Sequence, residues 1–241
     1  MKIFVTGGTG YIGSHTVVEL QKNGYDVIIA DNLVNSSMDV LDGIEKISGI
    51  RPEFEEIDLT DGEVTRDFFA RHSDIRAVIH FAALKAVGES VNKPLEYYFN
   101  NLNSLMNVLT CMREFKVPNL VFSSSCTVYG QADVLPVTEK TPRHEAESPY
   151  GNTKVMSEDI IRDLMRVEPD MKALALRYFN PIGAHPTAFI GELPNGLPNN
   201  LIPYLTQTAI GIREQLSVFG DDYNTPDGSP LRDYIDMEIG R

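Results

Sequence analysis

The sequence predicts an α/β fold built on a doubly wound parallel sheet, with helices on both faces and a smaller lobe after it. Short apolar runs alternate with helical patterns through residues 1–180, which favours parallel strands joined by crossover helices. A glycine-rich loop joins the first strand to the first helix. The 241 residues are 42% hydrophobic and 23% charged, as in an ordinary globular protein.

Six strands are predicted from short apolar runs bounded by glycine, proline or polar residues. The first run is the clearest, because it is apolar at successive positions and a glycine loop follows it directly. Continuous apolar character is typical of a strand that is buried on both faces of a sheet. The predicted strands are Lys2–Thr6, Asp26–Asp31, Pro52–Asp58, Ala77–Ala82, Asn119–Ser123 and Lys172–Phe179.

Five helices are predicted between these strands. Gly24 and Gly49 mark the ends of the first two, and a proline opens each of the last two at the first helical position. The predicted helices are Tyr11–Asn23, Met38–Ile47, Gly62–Arg71, Pro94–Lys116 and Pro149–Val167. Residues 181–203 then hold five prolines and three glycines, which predicts a loop-rich start to the smaller lobe.

Charge and composition exclude several classes of function. With 21 Lys+Arg against 34 Asp+Glu, the net charge of −13 argues against nucleic acid or an anionic membrane surface as a partner. The apolar runs fall short of the roughly 18 residues that cross a bilayer, and we expect no signal peptide before the first strand. Cys111 and Cys126 lack zinc-site spacing and fit a reduced, cytoplasmic protein, each as a small buried side chain.

The glycine loop predicts a dinucleotide site of the Rossmann type. Gly8, Gly10 and Gly13 satisfy G-x-G-x-x-G, and Gly7 precedes them, between a strand and a helix. Backbone without side chains can approach a pyrophosphate, and the helix N-terminus offers free N–H groups to it. Asp31 ends the second strand 31 − 13 = 18 residues after the last glycine, where a carboxylate binds the ribose 2′-hydroxyl and favours NAD over NADP.

Polar residues near two later strands predict the chemistry. Tyr150 and Lys154 are four residues apart on a predicted helix, so an ammonium should lie beside the phenol and lower its pKa for acid–base work. The run Ser123–Ser125 leaves the fifth strand at its carboxyl end, where a hydroxyl could share that proton. Two plainer interpretations stay open: an exposed helix face, and local turn bonding by the serines. Asp58 ends the third strand, either beside an adenine ring or as a cap of the next helix.

Longer stretches carry a family pattern. They are Gly7–His15, His80–Ser90, Lys93–Tyr98, Ser123–Gly130, Ser148–Lys154, Arg177–Pro186, Leu197–Tyr204 and Phe219–Tyr234. Together they resemble the extended short-chain dehydrogenase/reductase superfamily, and within it the family of UDP-glucose 4-epimerases. The resemblance covers nearly the whole chain.

The resemblance implies an isomerase of galactose metabolism that interconverts UDP-galactose and UDP-glucose with tightly bound NAD. Tyr150 would take the proton of the sugar 4-hydroxyl, Ser125 would hydrogen-bond that hydroxyl, and Lys154 would bind the nicotinamide ribose. Hydride would pass from C4 to NAD, giving a 4-keto sugar, and return to the opposite face.

The resemblance also implies two sets of binding residues. The expected NAD set is Gly7, Gly10, Tyr11, Ile12, Gly13, Asp31, Asn32, Ser36, Asp58, Leu59, Phe81, Ala82, Ala83, Leu84, Lys85, Asn100, Ser125, Tyr150, Lys154 and Phe179. The expected UDP-sugar set is Ser125, Tyr150, Asn180, Asn200, Leu201, Ser217, Val218, Phe219 and Arg232. A guanidinium suits a diphosphate because it donates a fork of hydrogen bonds.

Members of the resembled family run on for roughly a third more than this length, enough to complete the smaller lobe. We therefore expect an NAD-binding domain over residues 1–180 and an incomplete substrate-binding lobe over residues 181–241. The family commonly forms homodimers through two long helices, here Pro94–Lys116 and Pro149–Val167, although their apolar residues would equally suit the internal core.

Three alternatives stay beside the 4-epimerase. One is an epimerase of N-acetylated or uronic UDP-sugars. Another is a nucleotide-sugar 4,6-dehydratase, which is disfavoured because Val128 and Tyr129, not an acid pair, follow Thr127. The third is an NAD-binding protein without catalysis, while a structural protein with a decayed site is disfavoured by the presence of Ser125, Tyr150 and Lys154.

Overall fold

Six parallel strands form the central sheet of the computed structural model, which describes residues 1–237. Their order is β3-β2-β1-β4-β5-β6, and the direction of winding changes between the first and fourth strands. Ligands of such sheets bind at this switch point, beyond the carboxyl ends of the strands. The doubly wound prediction is therefore confirmed. The strands are β1 (Lys2–Thr6), β2 (Asp26–Asp31), β3 (Glu53–Glu56), β4 (Ile75–His80), β5 (Asn119–Ser123) and β6 (Lys172–Leu176).

Seven helices accompany the sheet within the described residues. They are α1 (Tyr11–Lys22), α2 (Asp39–Ser48), α3 (Gly62–Arg71), α4 (Val87–Asn92), α5 (Pro94–Glu114), α6 (Pro149–Val167) and α7 (Leu201–Ala209). A short 3-10 helix, Cys126–Tyr129, follows β5. The predictions missed α4, α7 and the 3-10 helix, because four to nine residues are too few to establish a helical period in the sequence.

The core lies in two layers, one on each face of the sheet. In β1, Phe4 packs with Phe68 and Phe69 of α3, whereas Ile3 and Val5 face the opposite layer, which includes α1 and α2. All five side chains are at most 4% exposed. Alternate residues of one strand therefore support different helices, which explains why the strand is apolar at successive positions.

Three strands differ from the prediction at one or both ends. The third is Glu53–Glu56 rather than Pro52–Asp58, and the fourth ends at His80 rather than Ala82. The fourth strand begins at Ile75 rather than Ala77, because Ile75 is buried and pairs with Lys2 across an irregularity in the register. The sixth ends at Leu176 rather than Phe179, since Arg177 turns away to an ion pair with Glu158 of α6. Cys111 is buried as predicted, whereas Cys126 is only half-buried.

A second sheet of two short parallel strands begins the region after β6. It pairs β7 (Asn180–Ile182) with β8 (Tyr234–Asp236). The four residues that end the predicted smaller lobe, 238–241, lie outside the described part of the chain, and the division at residue 180 stays a prediction. Across residues 1–237, none of the helices has the length and apolar character that a membrane span requires.

Candidate active site

The glycine loop after β1 is held by contacts that only glycine permits. Gly7 has a φ of +66°, and its N–H donates to Ala30 O at 2.8 Å. A Cβ on Gly13 would lie 2.2 Å from Gly7 O, and one on Gly8 would lie 2.8 Å from the Ile29 side chain. The loop therefore packs directly against the first helix and the second strand, as the G-x-G-x-x-G pattern predicts.

The start of α1 is open to an anion. Gly10 stands at its N-cap position, and within residues 1–237 no side chain caps this end and no acidic residue lies in its first turn. The first N–H groups of a helix have no partner inside it and carry the positive end of the helix dipole. Together with the close backbone of the loop, this end fits the pyrophosphate of a dinucleotide.

The glycine loop, Gly7–Gly13, and the start of α1 together form a cradle for the dinucleotide. Asp31, at the end of β2, lies on one side of this cradle. Its carboxylate accepts from Thr9 N at 3.3 Å, from Leu33 N at 3.0 Å and from the Ser36 hydroxyl at 3.3 Å. Asp31 is half-buried while Asn32 beside it is exposed. The glycine loop therefore helps to orient this carboxylate through Thr9 N. In this position the carboxylate fits the hydroxyl groups of an adenosine ribose.

Most of the remaining expected NAD residues also follow strands of the sheet. Asp58 and Leu59 follow β3, and Phe81–Lys85 follow β4. Asp58 accepts from the Thr60 hydroxyl at 2.8 Å, whereas Asp61 caps α3, so the cap alternative for Asp58 is wrong. The other placements are Tyr11, Ile12 and Gly13 in the first turn of α1, Ser36 after β2, Asn100 on α5 and Phe179 after β6.

Two buried polar residues that the predictions missed shape the loop after β4. Thr6 accepts from Ala82 N at 3.1 Å and lies 2.9 Å from Nδ1 of His80, a histidine whose pKa burial and Lys154 lower to about 3. Asn101 bonds both backbone groups of Leu84, accepting from its N–H at 2.8 Å and donating to its carbonyl at 3.0 Å. Neither lies in a recognisable motif, since each partner is distant in the sequence.

Ser125, Tyr150 and Lys154 meet beyond the end of β5. The Ser125 hydroxyl hydrogen-bonds the Tyr150 phenol, and Lys154 Nζ lies 5.8 Å from the centre of the Tyr150 ring. Lys154 is 4% exposed and donates to Ser123 O at 2.7 Å. The alternative of an exposed helix face is therefore wrong. Ser125 also accepts from Thr127 N at 3.2 Å, so local turn bonding and a place in the site coexist.

The predicted lowering of the Tyr150 pKa is wrong. Burial raises that pKa to about 12, and the hydrogen bond from Ser125 only partly opposes it. Lys154 directs its ammonium to the Ser123 carbonyl, and burial among groups such as the Phe122 ring lowers its own pKa to about 8. The helical spacing placed the two residues together, but their burial decides their pKa values.

Replacing Lys154 should make the protein more stable at neutral pH. Its pKa falls from 10.5 to about 8 on folding, so the unfolded chain binds more protons between these values and stability rises with pH there. Below pH 8, burying the charged Lys154 ammonium costs about 3 kcal/mol of folding stability, and replacing the residue recovers that cost. The replacement also loses the hydrogen bond to Ser123 O, which reduces the gain by about 1 kcal/mol. We expect Lys154→Met to add about 2 kcal/mol at pH 7 in urea unfolding. The gain should fall to zero before pH 10.5 and become a small loss above it, because only the lost bond then counts. A gain independent of pH would contradict the assigned burial cost.

Most of the expected UDP-sugar residues are exposed to solvent. Asn180 donates to Asp233 O at 2.8 Å, and Arg232 beside it acts electrostatically on Cys126, next to Ser125. Ser217, Val218 and Phe219 are exposed, Phe219 at 98%. The structure thus brings Arg232 towards the serine run, but it does not enclose residues 217–219. Asn200 stands at the N-cap position of α7, and Leu201 begins that helix.

Glu192, which the predictions also missed, joins the two expected sets. It pairs with Lys85 of the NAD set at 3.4 Å and accepts from Asn200 of the UDP-sugar set. Nearby, the Tyr11 hydroxyl donates to Gly183 O at 2.6 Å, and burial with the charge of Glu192 raises the pKa of that phenol. These bonds hold the loop after β7 against the mouth of the cradle.

Known proteins match this chain along nearly its whole length. It is 53% identical over 235 residues to the UDP-glucose 4-epimerase of Bacillus subtilis, covering 98% of this chain and 69% of that one. It is 54% identical over 237 residues to the bifunctional protein GAL10 of Pachysolen tannophilus, covering 97% of this chain and 34% of that protein. The crystal structure of UDP-glucose 4-epimerase from Bifidobacterium longum in complex with NAD+ and UDP aligns with a TM-score of 0.95 at 46% identity, covering 98% of this chain and 70% of that one.

The chain therefore spans about a third of the Pachysolen protein and somewhat over two thirds of the other two relatives. The NAD dependent epimerase/dehydratase family matches it over residues 3–238. Because that match runs through nearly every element of the sheet and the fold agrees with that of an epimerase solved with NAD+, this chain belongs to the NAD dependent epimerase/dehydratase family.

Proposed function

We propose that this chain carries the site of a UDP-glucose 4-epimerase, which interconverts UDP-galactose and UDP-glucose with NAD held in the glycine cradle. The observation that carries the proposal is the meeting of Ser125, Tyr150 and buried Lys154 beyond β5, two strands from that cradle in the sheet. Relatives named UDP-glucose 4-epimerase, with about half of their residues identical, support the same substrate.

The cradle residues bind the cofactor, whereas the reactive residues act on the sugar hydroxyl. NAD, when bound, supplies the hydride acceptor and donor at the sugar C4. The glycine loop and the start of α1 bind the pyrophosphate, while Asp31 binds the adenosine ribose. Tyr150 takes the proton of the 4-hydroxyl and gives it back, and Ser125 orients the same hydroxyl. The Lys154 ammonium, held by Ser123 O, keeps further donors for the nicotinamide ribose.

The sugar itself is chosen within the smaller lobe. We propose that Asn180, Asn200, Leu201, residues 217–219 and Arg232 bind the nucleotide sugar, with residues 1–180 as the NAD-binding domain. An epimerase of another UDP-sugar stays an alternative, since Phe219 and its neighbours are exposed. Val128 and Tyr129 are buried and neither is an acid, which supports epimerisation over dehydration.

We also propose the homodimer expected from the two long helices. Exposed apolar side chains on α5 and α6 support it, because such residues at helical spacing favour a partner surface. They are Leu95, Phe99, Met106 and Met156. The cytoplasmic location stays a prediction.

The direct test is a coupled assay of the purified chain with UDP-galactose and no added NAD, following UDP-glucose. We expect product, because the NAD is retained from cycle to cycle. The matched control is the same protein after its nucleotide has been stripped, which should regain activity when NAD is added. Protein that holds NAD but forms no product would instead support the non-catalytic NAD-binding alternative and contradict the proposal.

A further inference from the structure

Three residues on one face of α6 each engage a different member of the serine run. Tyr150, Lys154 and Glu158 follow at four-residue spacing, so they share that face. Tyr150 bonds the Ser125 hydroxyl, and Lys154 donates to Ser123 O at 2.7 Å. The Ser124 hydroxyl donates to Glu158 Oε1 at 2.5 Å. The catalytic geometry proposed above accounts for the first two contacts but leaves the third unused.

Glu158 is a buried carboxylate with two arginine partners. It is 6% exposed, and Arg177 just after β6 donates to both of its oxygens, at 2.8 Å and 2.6 Å. Arg143, from the segment before α6, also pairs with it. Burial alone would raise its pKa, yet the bonds from Arg177 and Ser124 hold that pKa below its usual value. Glu158 is therefore an ionised acceptor in a fixed place.

We infer that Glu158 is a positioning residue for the proposed epimerase: through the Ser124 hydroxyl it fixes the serine run, so that Ser125 faces Tyr150 and the Ser123 carbonyl faces Lys154. This inference rests on the proposed function for its effect on turnover, but the contacts themselves do not depend on it. A bidentate arginine fork defines the orientation of a carboxylate as well as its charge.

The serine run needs such an anchor because it leaves the regular sheet at this point. β5 ends at Ser123, and the 3-10 helix begins only at Cys126. Cys126 N donates to Tyr178 O at 3.2 Å, which holds the far end of the run. Ser124 is 1% exposed, and the Glu158 carboxylate holds its side chain in the middle of the run. Without this bond, a small displacement would move the Ser125 hydroxyl away from the Tyr150 phenol.

The experiment is a double-mutant cycle of Ser124→Ala and Glu158→Gln. Each variant is measured for kcat and KM with UDP-galactose, for bound NAD, and for the Tyr150 13Cζ signal at pH 7 in tyrosine-labelled protein. The signal is assigned by its loss in Tyr150→Phe. Asp159→Asn is the matched control, since Asp159 lies next to Glu158 and accepts from Arg143 at 2.7 Å, but Glu158 alone of the two bonds Ser124.

We expect Ser124→Ala to lower kcat about 10- to 100-fold, with KM and bound NAD unchanged, because misplacement of a catalytic group acts on the chemical step. Its Tyr150 signal should shift, and Asp159→Asn should resemble the unmodified chain in every measurement. In the Glu158→Gln background, Ser124→Ala should lower kcat little further, since both changes remove the same Ser124–Glu158 hydrogen bond.

Additive losses, or a Ser124→Ala variant with normal kcat and an unmoved Tyr150 signal, would overturn the inference. If Glu158→Gln does not fold, the Ser124→Ala variant decides alone. If the unmodified chain has no epimerase activity, the proposed function fails, while the Tyr150 signal still tests the positioning by Glu158.

Discussion

Tyr150→Phe should reduce the turnover of UDP-galactose by about 10²- to 10⁴-fold, the usual contribution of a positioned acid–base group. The Tyr150 phenol hydrogen-bonds Ser125, and phenylalanine preserves the ring that lies near Lys154. Bound NAD should remain, because the cradle lies at the other side of the switch point. Steady-state kinetics with nucleotide extracted from the same sample measures both quantities.

Tyr25→Phe is the control for that change. Tyr25 stands in the turn between α1 and β2, is 37% exposed, and lies outside every expected binding set. Its loss should leave kcat and KM as they are. If Tyr150→Phe kept more than a tenth of the activity, Tyr150 would not be the group that moves the proton.

Gly13→Ala should prevent the retention of NAD and destabilise the fold by about 3 kcal/mol. The new Cβ would lie 2.2 Å from Gly7 O and 2.8 Å from Gly8 Cα, so backbone atoms must move, and overpacking of this kind costs about 1–3 kcal/mol or more. The same displacement separates the glycine loop from the start of α1, where the pyrophosphate should bind. The measurements are urea unfolding and the ratio of bound NAD to protein.

Gly88→Ala is the matched control, since within residues 1–237 its Cβ would meet no atom within 4 Å apart from its chain neighbours and the backbone of its own helix. Gly88 is part of α4, where alanine favours the helix by about 1 kcal/mol. That variant should keep its NAD and be at least as stable as the unmodified chain. Retention of stoichiometric NAD by Gly13→Ala would contradict the role given to the loop.

Local patterns were sufficient to predict the framework. Lys2–Thr6, Asn119–Ser123 and Pro149–Val167 agree with the structure at both ends, since an apolar run or an opening proline marks each boundary. The glycine loop and Asp31 could also be predicted, because this kind of site needs glycines and a carboxylate at fixed spacing along the chain. Boundaries set by pairing across the sheet, such as Ile75 opposite Lys2, were not.

The polar residues that support the site were beyond such reasoning. Asn101 and Glu192 act on partners 17 and 107 residues away respectively, and a lone polar residue in a sequence does not indicate its partner. Glu158 continues the four-residue spacing of Tyr150 and Lys154, so that signal existed, but only the fold shows that its partner is Ser124. The pKa of Tyr150 was predicted in the wrong direction, because spacing identifies the neighbouring ammonium and not the depth of burial.

The central claim is that Ser125, Tyr150 and Lys154 form one site in which NAD, when bound, would accept hydride from the sugar C4 and return it to the other face. The most direct test supplies UDP-galactose carrying deuterium at C4 to the purified chain in ordinary water, without added NAD. The account predicts UDP-glucose that keeps the deuterium at C4, because the hydride stays within the site between the two transfers. UDP-glucose that has lost its deuterium to solvent, or a complete absence of UDP-glucose from protein that holds NAD, would contradict it.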